Sequence, residues 1–210
     1  MIFYTVNPLI QKLLHKNIWT TNNNKLLLTF DDGPVPGNTE KILNWLNNKQ
    51  IKALFFCVGN NVKNNLPLAK RILSDGHMIG SHTYNHKLLY KLKDTEIRNE
   101  LNEFNKVVKD NFNYDVQYFR PPHGRIIPGL HGILSDYNMR CVLWSLITYD
   151  FNNDINIVKF ALENKLKNNS IVVFHDSLKS KDIIIESLDY FYSEVKKKGY
   201  EIGDPDKCLS

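Results

Sequence analysis

Short apolar runs alternate with amphipathic segments along the whole chain. The first run, Leu26, Leu27, Leu28, Thr29 and Phe30, lies between an Asn cluster and the breaker Gly33-Pro34, so it reads as a short buried strand. Ile42, Leu43 and Trp45 recur at helical spacing and predict a helix over 38–48, and the apolar, aromatic stretch 52–58 predicts a second strand. The same reading gives a helix over 67–75 stopped by Gly76, a strand over 77–80, a helix over 95–110 and a strand over 117–119. It continues with a brief helix over 128–135, a strand over 140–146, a helix over 154–167 capped by Asp154, a strand over 170–174, a long helix over 181–198 and a last strand over 200–202.

Repeated strand then helix implies a parallel sheet. Seven such units in 210 residues suggest a compact α/β barrel, with an open doubly wound sheet as the alternative. No repeat, linker or composition break divides the chain, so one domain is expected. Ahead of the first strand, Leu9, Ile10, Leu13, Leu14 and Ile18 fall near one helical face. This predicts an amphipathic helix of about three turns, capping the base of the fold or, alternatively, lying on a membrane surface.

Composition narrows the function classes. A hydrophobic content of 42% and a charged content of 23% are those of an ordinary globular protein. The net charge of +5 comes without aromatic residues interleaved in a basic groove, so nucleic acid is excluded as a partner. Three cysteines at no zinc-ligand spacing predict buried free thiols and leave any metal to His and carboxylate. The N-terminus lacks the features of a secretory signal and is too polar to span a bilayer, which by sequence implies a cytoplasmic chain. Neither a G-x-G-x-x-G turn nor a P-loop follows the first strand, which argues against a nucleotide.

The chemistry lies at the strand exits, which share one rim in parallel α/β folds. Asp31 and Asp32 follow the first strand, and two adjacent carboxylates face one cavity only if the chain turns between them, a turn that Gly33 and Pro34 are expected to supply. His82 and His86 are four residues apart, so one helical turn would aim both at one point. With Asp32 they make a two-His, one-carboxylate set with an open position for a divalent ion, leaving Asp31 as a base. In Phe119-Arg120-Pro121-Pro122-His123-Gly124, the prolines hold Arg120 towards the rim to pair with Asp31 and expose the His123 amide to a developing oxyanion. His175, at the end of a buried strand, can donate a proton near neutral pH. Trp144 either floors a substrate pocket or belongs to the core. Each group alone also fits a surface turn, a solvated pair or a core residue; their joint arrival at one rim selects the chemical reading.

In order, Thr29-Phe30-Asp31-Asp32-Gly33-Pro34, the S-H-x-x-x-H of residues 81–86, the R-P-P-x-G of residues 120–124 and the V-x-H-D of residues 173–176 resemble the motifs of the polysaccharide deacetylases, the NodB-like carbohydrate esterases. The resemblance runs from about residue 25 to 202 and implies a distorted (β/α)7 TIM-like barrel over 25–204, between an N-terminal helix and linker over 1–24 and a tail over 205–210. It further implies metal-dependent removal of acetyl groups from N-acetylated amino sugars of a peptidoglycan- or chitin-like glycan. Carried over, Asp31 is the general base, Asp32, His82 and His86 the ligands of one divalent ion, zinc or else cobalt or nickel, Arg120 the residue orienting the base, His123 the backbone oxyanion donor and His175 the general acid. Pro121, Trp144, Tyr149 and Asp150 are expected around the substrate pocket. Two positions depart from the family pattern. His123 stands where Tyr is common, and in the D-x-x-D-W motif Ile147 replaces the first acid while Asp150 matches the second and Phe151 the Trp. With Ile147 at the acid's usual tuning position, His175 is expected to have a lowered pKa, unless Asp150 or Asp176 fills that role. A glycan-binding relative without catalysis and a metal-dependent phosphoesterase are the competing functions. A monomer acting on glycan, at the cell envelope if it is exported, is the expected setting.

Overall fold

A computed structural model describes residues 4–210; residues 1–3 of the N-terminal segment lie outside the described residues. Seven strands make one sheet: β1 Leu27–Asp31, β2 Leu54–Cys57, β3 Met78–Ser81, β4 Tyr118–Phe119, β5 Arg140–Cys141, β6 Leu146–Ile147 and β7 Ile171–His175. Every pairing is parallel, in the order β5-β4-β3-β2-β1-β7-β6. Around it lie α1 Pro8–Leu13, α2 Thr39–Lys49, α3 Gly59–Asn64, α4 Leu66–Ser74, α5 Asp94–Phe112, α6 Leu130–Ser135, α7 Ile155–Lys165, α8 Ile184–Lys197 and α9 Pro205–Leu209. This is the distorted barrel expected from the sequence.

The distortion has a definite place. β5 and β6 occupy opposite edges of the sheet yet are joined by only residues 142–145, with no helix between. The stretch 140–146, a single strand by its sequence, is therefore two: its first half pairs with β4 and its second with β7. The N-terminal segment stitches this seam, because the Ile18 amide donates to the Cys141 carbonyl at 2.9 Å, the Leu143 amide donates to the Ile18 carbonyl at 2.8 Å, and the Ile147 amide reaches the Tyr4 carbonyl at 3.0 Å.

Strand alternation sorts the side chains into two layers. Leu28, Phe30, Phe55, Cys57, Ile79, Phe119, Val172 and Phe174 face the helices in the larger core. Leu27, Leu54, Phe56, Tyr118, Val142 and Ile171 face the barrel interior, where Cys208 and Leu209 of α9 join them. The segment read as a tail is thus a plug under the barrel. The same parity brings Asp31, Arg120 and His175 to the inner side at the opposite end of the strands. Gly80 belongs to this inner layer, and a Cβ there would stand 2.7 Å from the Phe56 ring.

Three other expectations change. The N-terminal helix is only Pro8–Leu13, and Leu9 and Leu13 are 75% and 79% exposed, so its apolar face does not cap the fold. Residues 200–202 form no strand but one bridge, Ile202 to Leu26, because the sheet has no free edge there. The six-residue α3 was not anticipated, since its sequence, Gly59-Asn60-Asn61-Val62-Lys63-Asn64, is poor in helix formers. The three cysteines are buried free thiols. Among the described residues no helix is long and apolar enough to cross a membrane.

Candidate active site

The rim at the strand exits holds a cleft of about 300 Å³ lined by Asp31, Asp32, His82, His86, His123, Trp144, Ile147, Tyr149, Phe151, His175 and Lys179. Larger hollows exist on the surface, one of about 590 Å³ between α5 and β5, but they gather no comparable set of groups.

Asp31 is the last residue of β1 and is 4% exposed. Its Oδ1 accepts from Arg120 Nη1 at 2.6 Å, which leaves Oδ2 turned towards His82 Nε2 at 4.0 Å. Burial raises its pKa, but the Arg120 charge and hydrogen bond, with His82 and His175 nearby, outweigh this and hold the carboxyl below the usual carboxylate range. Arg120 is wholly buried and holds its place through further bonds: Nη1 also donates to Thr29 Oγ1 at 2.9 Å, Nη2 to the Leu143 carbonyl at 2.8 Å and Nε to the Val142 carbonyl at 3.1 Å. Its guanidinium lies 4.0 Å from the centre of the Phe56 ring.

Asp32 turns the chain itself. Its φ of +79° is left-handed, so the reversal between the two acids sits at Asp32 and not at the Gly33-Pro34 pair to which the sequence assigned it. Asn61 of α3 holds this geometry by donating to the Asp32 carbonyl at 2.7 Å. His82 and His86 also meet differently from expectation. Residues 82–88 are loop, with Thr83 and His86 at φ +65° and +55°, yet the two rings stand 4.8 Å apart. The loop is shaped from outside: Gly59 and Asn60 of α3 donate to the Thr83 and Tyr84 carbonyls, and buried Glu100 of α5 accepts from the Asn85 amide at 2.6 Å and its side chain at 2.9 Å.

One ligand atom from each of Asp32, His82 and His86 lies within 4.8 Å of the others. Asp32 Oδ1 is 3.7 Å from His82 Nε2 and 3.3 Å from His86 Nε2. His82 Nδ1 is 2.7 Å from the Arg120 carbonyl, an acceptor only, so Nδ1 carries the proton and the Nε2 lone pair faces the cluster. Burial, opposed by Asp31 and Asp32, lowers the His82 pKa to about 4 and keeps the ring neutral. A borderline cation that takes N and O donors fits this set.

Across the cleft, His175 Nδ1 is 2.7 Å from Asp150 Oδ1, and its backbone amide donates to Asp150 Oδ2 at 2.7 Å. Asp150 is fully buried and also accepts from Thr148 Oγ1 at 3.2 Å. Burial works against the charged imidazole, but the Asp150 carboxylate prevails and raises its pKa to about 9. This corrects the expectation built on Ile147: the tuning carboxylate is Asp150, the alternative left open above, and Ile147 is an apolar wall of the cleft. Phe151 packs edge-on against the His175 ring at 4.7 Å. Asp176 is turned away and buried, where it accepts from Asn38 at 3.0 Å and Thr39 at 2.5 Å.

Of the residues expected around a substrate, Trp144 and Tyr149 line the cleft, whereas Asp150 lies beneath His175 and Pro121 is buried in the turn, its carbonyl accepting from Gly124. His123 places its ring 4.9 Å from His86. Lys179 was not anticipated. Nothing local marks it, since it follows the motif by three residues on an exposed loop.

These features have counterparts in known proteins. Residues 19–142 match the family described as polysaccharide deacetylase. The chain is 30% identical over 208 residues to the uncharacterized protein YlxY of Bacillus subtilis (strain 168), covering 97% of this chain and 64% of that one. It is 30% identical over 209 residues to the peptidoglycan-N-acetylmuramic acid deacetylase PdaA of the same organism, covering 97% and 78%. In structure it is similar to the Bc1960 peptidoglycan N-acetylglucosamine deacetylase, with a TM-score of 0.86 at 26% identity over 97% of each chain. The chain spans 64% and 66% of the length of two curated relatives that it matches. The ordered motifs, the barrel that gathers them at one rim and the extent of these matches agree: the chain belongs to the polysaccharide deacetylase family.

Proposed function

We propose that this protein is a metal-dependent deacetylase that hydrolyses the acetamido group of N-acetylated amino sugars in a peptidoglycan- or chitin-like glycan. The carrying observation is a pair of titratable groups pushed in opposite directions across one cleft. Asp31 is held ionised by Arg120, and His175 is held protonated by Asp150, which are the states a base and an acid need at neutral pH.

Asp32, His82 and His86 would hold one divalent ion, zinc or else cobalt or nickel, which when bound supplies Lewis acidity to the acetyl carbonyl and acidifies a water. Asp31 takes the proton of the attacking water on Oδ2, the oxygen that Arg120 leaves open. The backbone amide of His123, on a turn set by Pro121 and Pro122, donates to the developing oxyanion. His175 then gives its Nε2 proton to the departing nitrogen while Nδ1–H stays on Asp150. The C–N bond breaks, and acetate and a free amine leave. On this reading the substrate lies in the cell envelope if the protein is exported.

The test is acetate and phosphate release from the purified protein over a panel of N-acetylated glycans and phosphoesters, with and without chelator. Acetate that disappears with chelator and returns with metal is expected. Phosphate release, or glycan binding without acetate, overturns the reading. Within it, Asp31→Asn is expected to keep metal and lose most turnover, and His86→Ala to lose metal affinity; equal metal loss in both refutes the division of roles.

A further inference from the structure

The chemistry above leaves one buried acid without a role. Asp176 follows His175 directly, yet it does not line the cleft and its side chain is wholly buried. Its hydrogen-bond donors are both neutral: Asn38 Nδ2 reaches Oδ1 at 3.0 Å and Thr39 Oγ1 reaches Oδ2 at 2.5 Å. A buried acid is often no more stabilising than an apolar residue of its size, so what this one holds in place matters. Its backbone amide donates to the Asp31 carbonyl at 2.8 Å, one step beyond the β1–β7 pairing that ends with Asp31 opposite His175.

What Asp176 touches is the chain just after Asp32. A Cβ added at Gly33 would stand 2.2 Å from Asp176 Oδ2. Gly33 does not take a positive φ, so glycine is needed here for space: the carboxyl group occupies the place of a side chain. Asn38 and Thr39, both wholly buried at the start of α2, close the other end of the same turn, and Thr39 Oγ1 also accepts from the Val35 amide at 2.6 Å. The carboxyl group therefore spans the turn 33–39. Other bonds fix the turn from α3 and the residue before it, where the Val58 amide donates to the Gly33 carbonyl at 3.0 Å and Asn61 holds the Asp32 carbonyl. From this clamped backbone Asp32 Oδ1 reaches to 3.3 Å from His86 Nε2 and 3.7 Å from His82 Nε2.

We infer that Asp176 is a positioning residue for the metal set: its carboxyl group fixes the turn 33–39 against the end of β7 and so aims Asp32 at His82 and His86. The inference rests on the metal assignment within the deacetylase reading above. Asp176 acts through its shape and hydrogen bonds, and not through its charge, which separates two substitutions. An Asn keeps both contacts, because its oxygen accepts from Asn38 while its NH2 donates to Thr39 Oγ1, whose own hydrogen turns to the Val35 carbonyl 3.0 Å away. An Ala keeps neither and opens a gap against Gly33.

The experiment measures the zinc(II) dissociation constant of the full chain by chelator competition, and the visible spectrum of its cobalt(II) form, which reports coordination geometry. Asp176→Ala is expected to weaken zinc binding by about tenfold or more and to change the cobalt spectrum, as when a group that orients a metal ligand is removed, whereas Asp176→Asn should stay within about threefold of the wild type. Gly33→Ala should weaken binding in the wild type and weaken it less in the Asp176→Ala background, where its methyl enters vacated space. Thermal melts of the metal-free proteins establish which variants fold. If Asp176→Ala does not, Thr39→Val decides in its place, since it removes one donor and leaves the carboxyl group; a loss of about threefold or more is expected. A folded Asp176→Ala, or in its place Thr39→Val, that binds zinc as the wild type does overturns the inference and leaves the metal site standing. So does an Asp176→Asn as weak as Asp176→Ala, or Gly33 and Asp176 effects that simply add. A wild type that binds neither metal overturns both the inference and the metal assignment beneath it.

Discussion

Replacing Asp150 by Asn tests the acid side of the cleft with little change in shape. The carboxylate lies 2.7 Å from His175 Nδ1, is wholly buried and receives the His175 amide on its second oxygen. An Asn has the same shape but one acceptor oxygen, so it can accept from the His175 amide or from Nδ1–H but not from both; the charge and one hydrogen bond are lost. Two unit charges ~4 Å apart at an effective dielectric of ~20 interact by about 4 kcal/mol, equivalent to about three pH units. Burial then acts on His175 unopposed by its main partner, and its pKa is expected to fall from about 9 by at least about two units. His175 must be protonated to expel the amine, so the alkaline limb of the kcat/KM profile moves to lower pH and the rate at pH 8 drops. Stability follows the same group. With a folded pKa above the unfolded ~6.5, the ionised pair stabilises the fold fully below about pH 6.5, and this is lost as pH rises through about 9. Thermal melts of the wild type should decline over that window more than those of the variant. The measurements are a pH–rate profile and an NMR titration of His175 on folded, metal-loaded protein. An alkaline limb that does not move refutes the reasoning: His175 would not be the acid, or its charge would be set elsewhere.

Other outcomes follow from the buried machinery. Arg120→Ala leaves the Asp31 carboxylate and two carbonyls without their donor, and is expected to cost about 3–5 kcal/mol in a urea titration. Arg120→Lys should recover part of that stability but less of the activity, because an ammonium cannot reproduce the fork. Gly80→Ala drives a methyl into the Phe56 ring under the Arg120 guanidinium and is expected to cost about 1–3 kcal/mol, with Phe56→Leu relieving it in the double variant. On the acid side of the pH profile, activity should persist below the usual carboxylate range wherever metal is still bound, since Asp31 stays ionised there, and Arg120→Ala should remove that advantage.

Much of this protein was legible in the linear order of its residues. Apolar runs such as Leu26–Phe30 and Ser170–Phe174 are strands whatever surrounds them, because a run so apolar must be buried on both faces. Once the strands are parallel, their exits share a rim, so Asp31, His82, Arg120 and His175 had to converge. The remainder depended on contacts between distant segments. Whether residues 140–146 were one strand or two was decided by which edges they met, and Ile18, more than a hundred residues away, closes that seam. His82 and His86 converge through a loop held by Glu100 and the start of α3, which their spacing does not encode. The choice between Ile147, Asp150 and Asp176 as neighbour of His175 could not be made from a motif. In the structure the β6 exit turns at Tyr149, φ +58°, and the following residue, Asp150, lies under the imidazole, while Asp176 is drawn away by Asn38 and Thr39. Periodicity along a chain reports which face is buried; which groups touch within that face is set by strands and loops that only the folded barrel brings together.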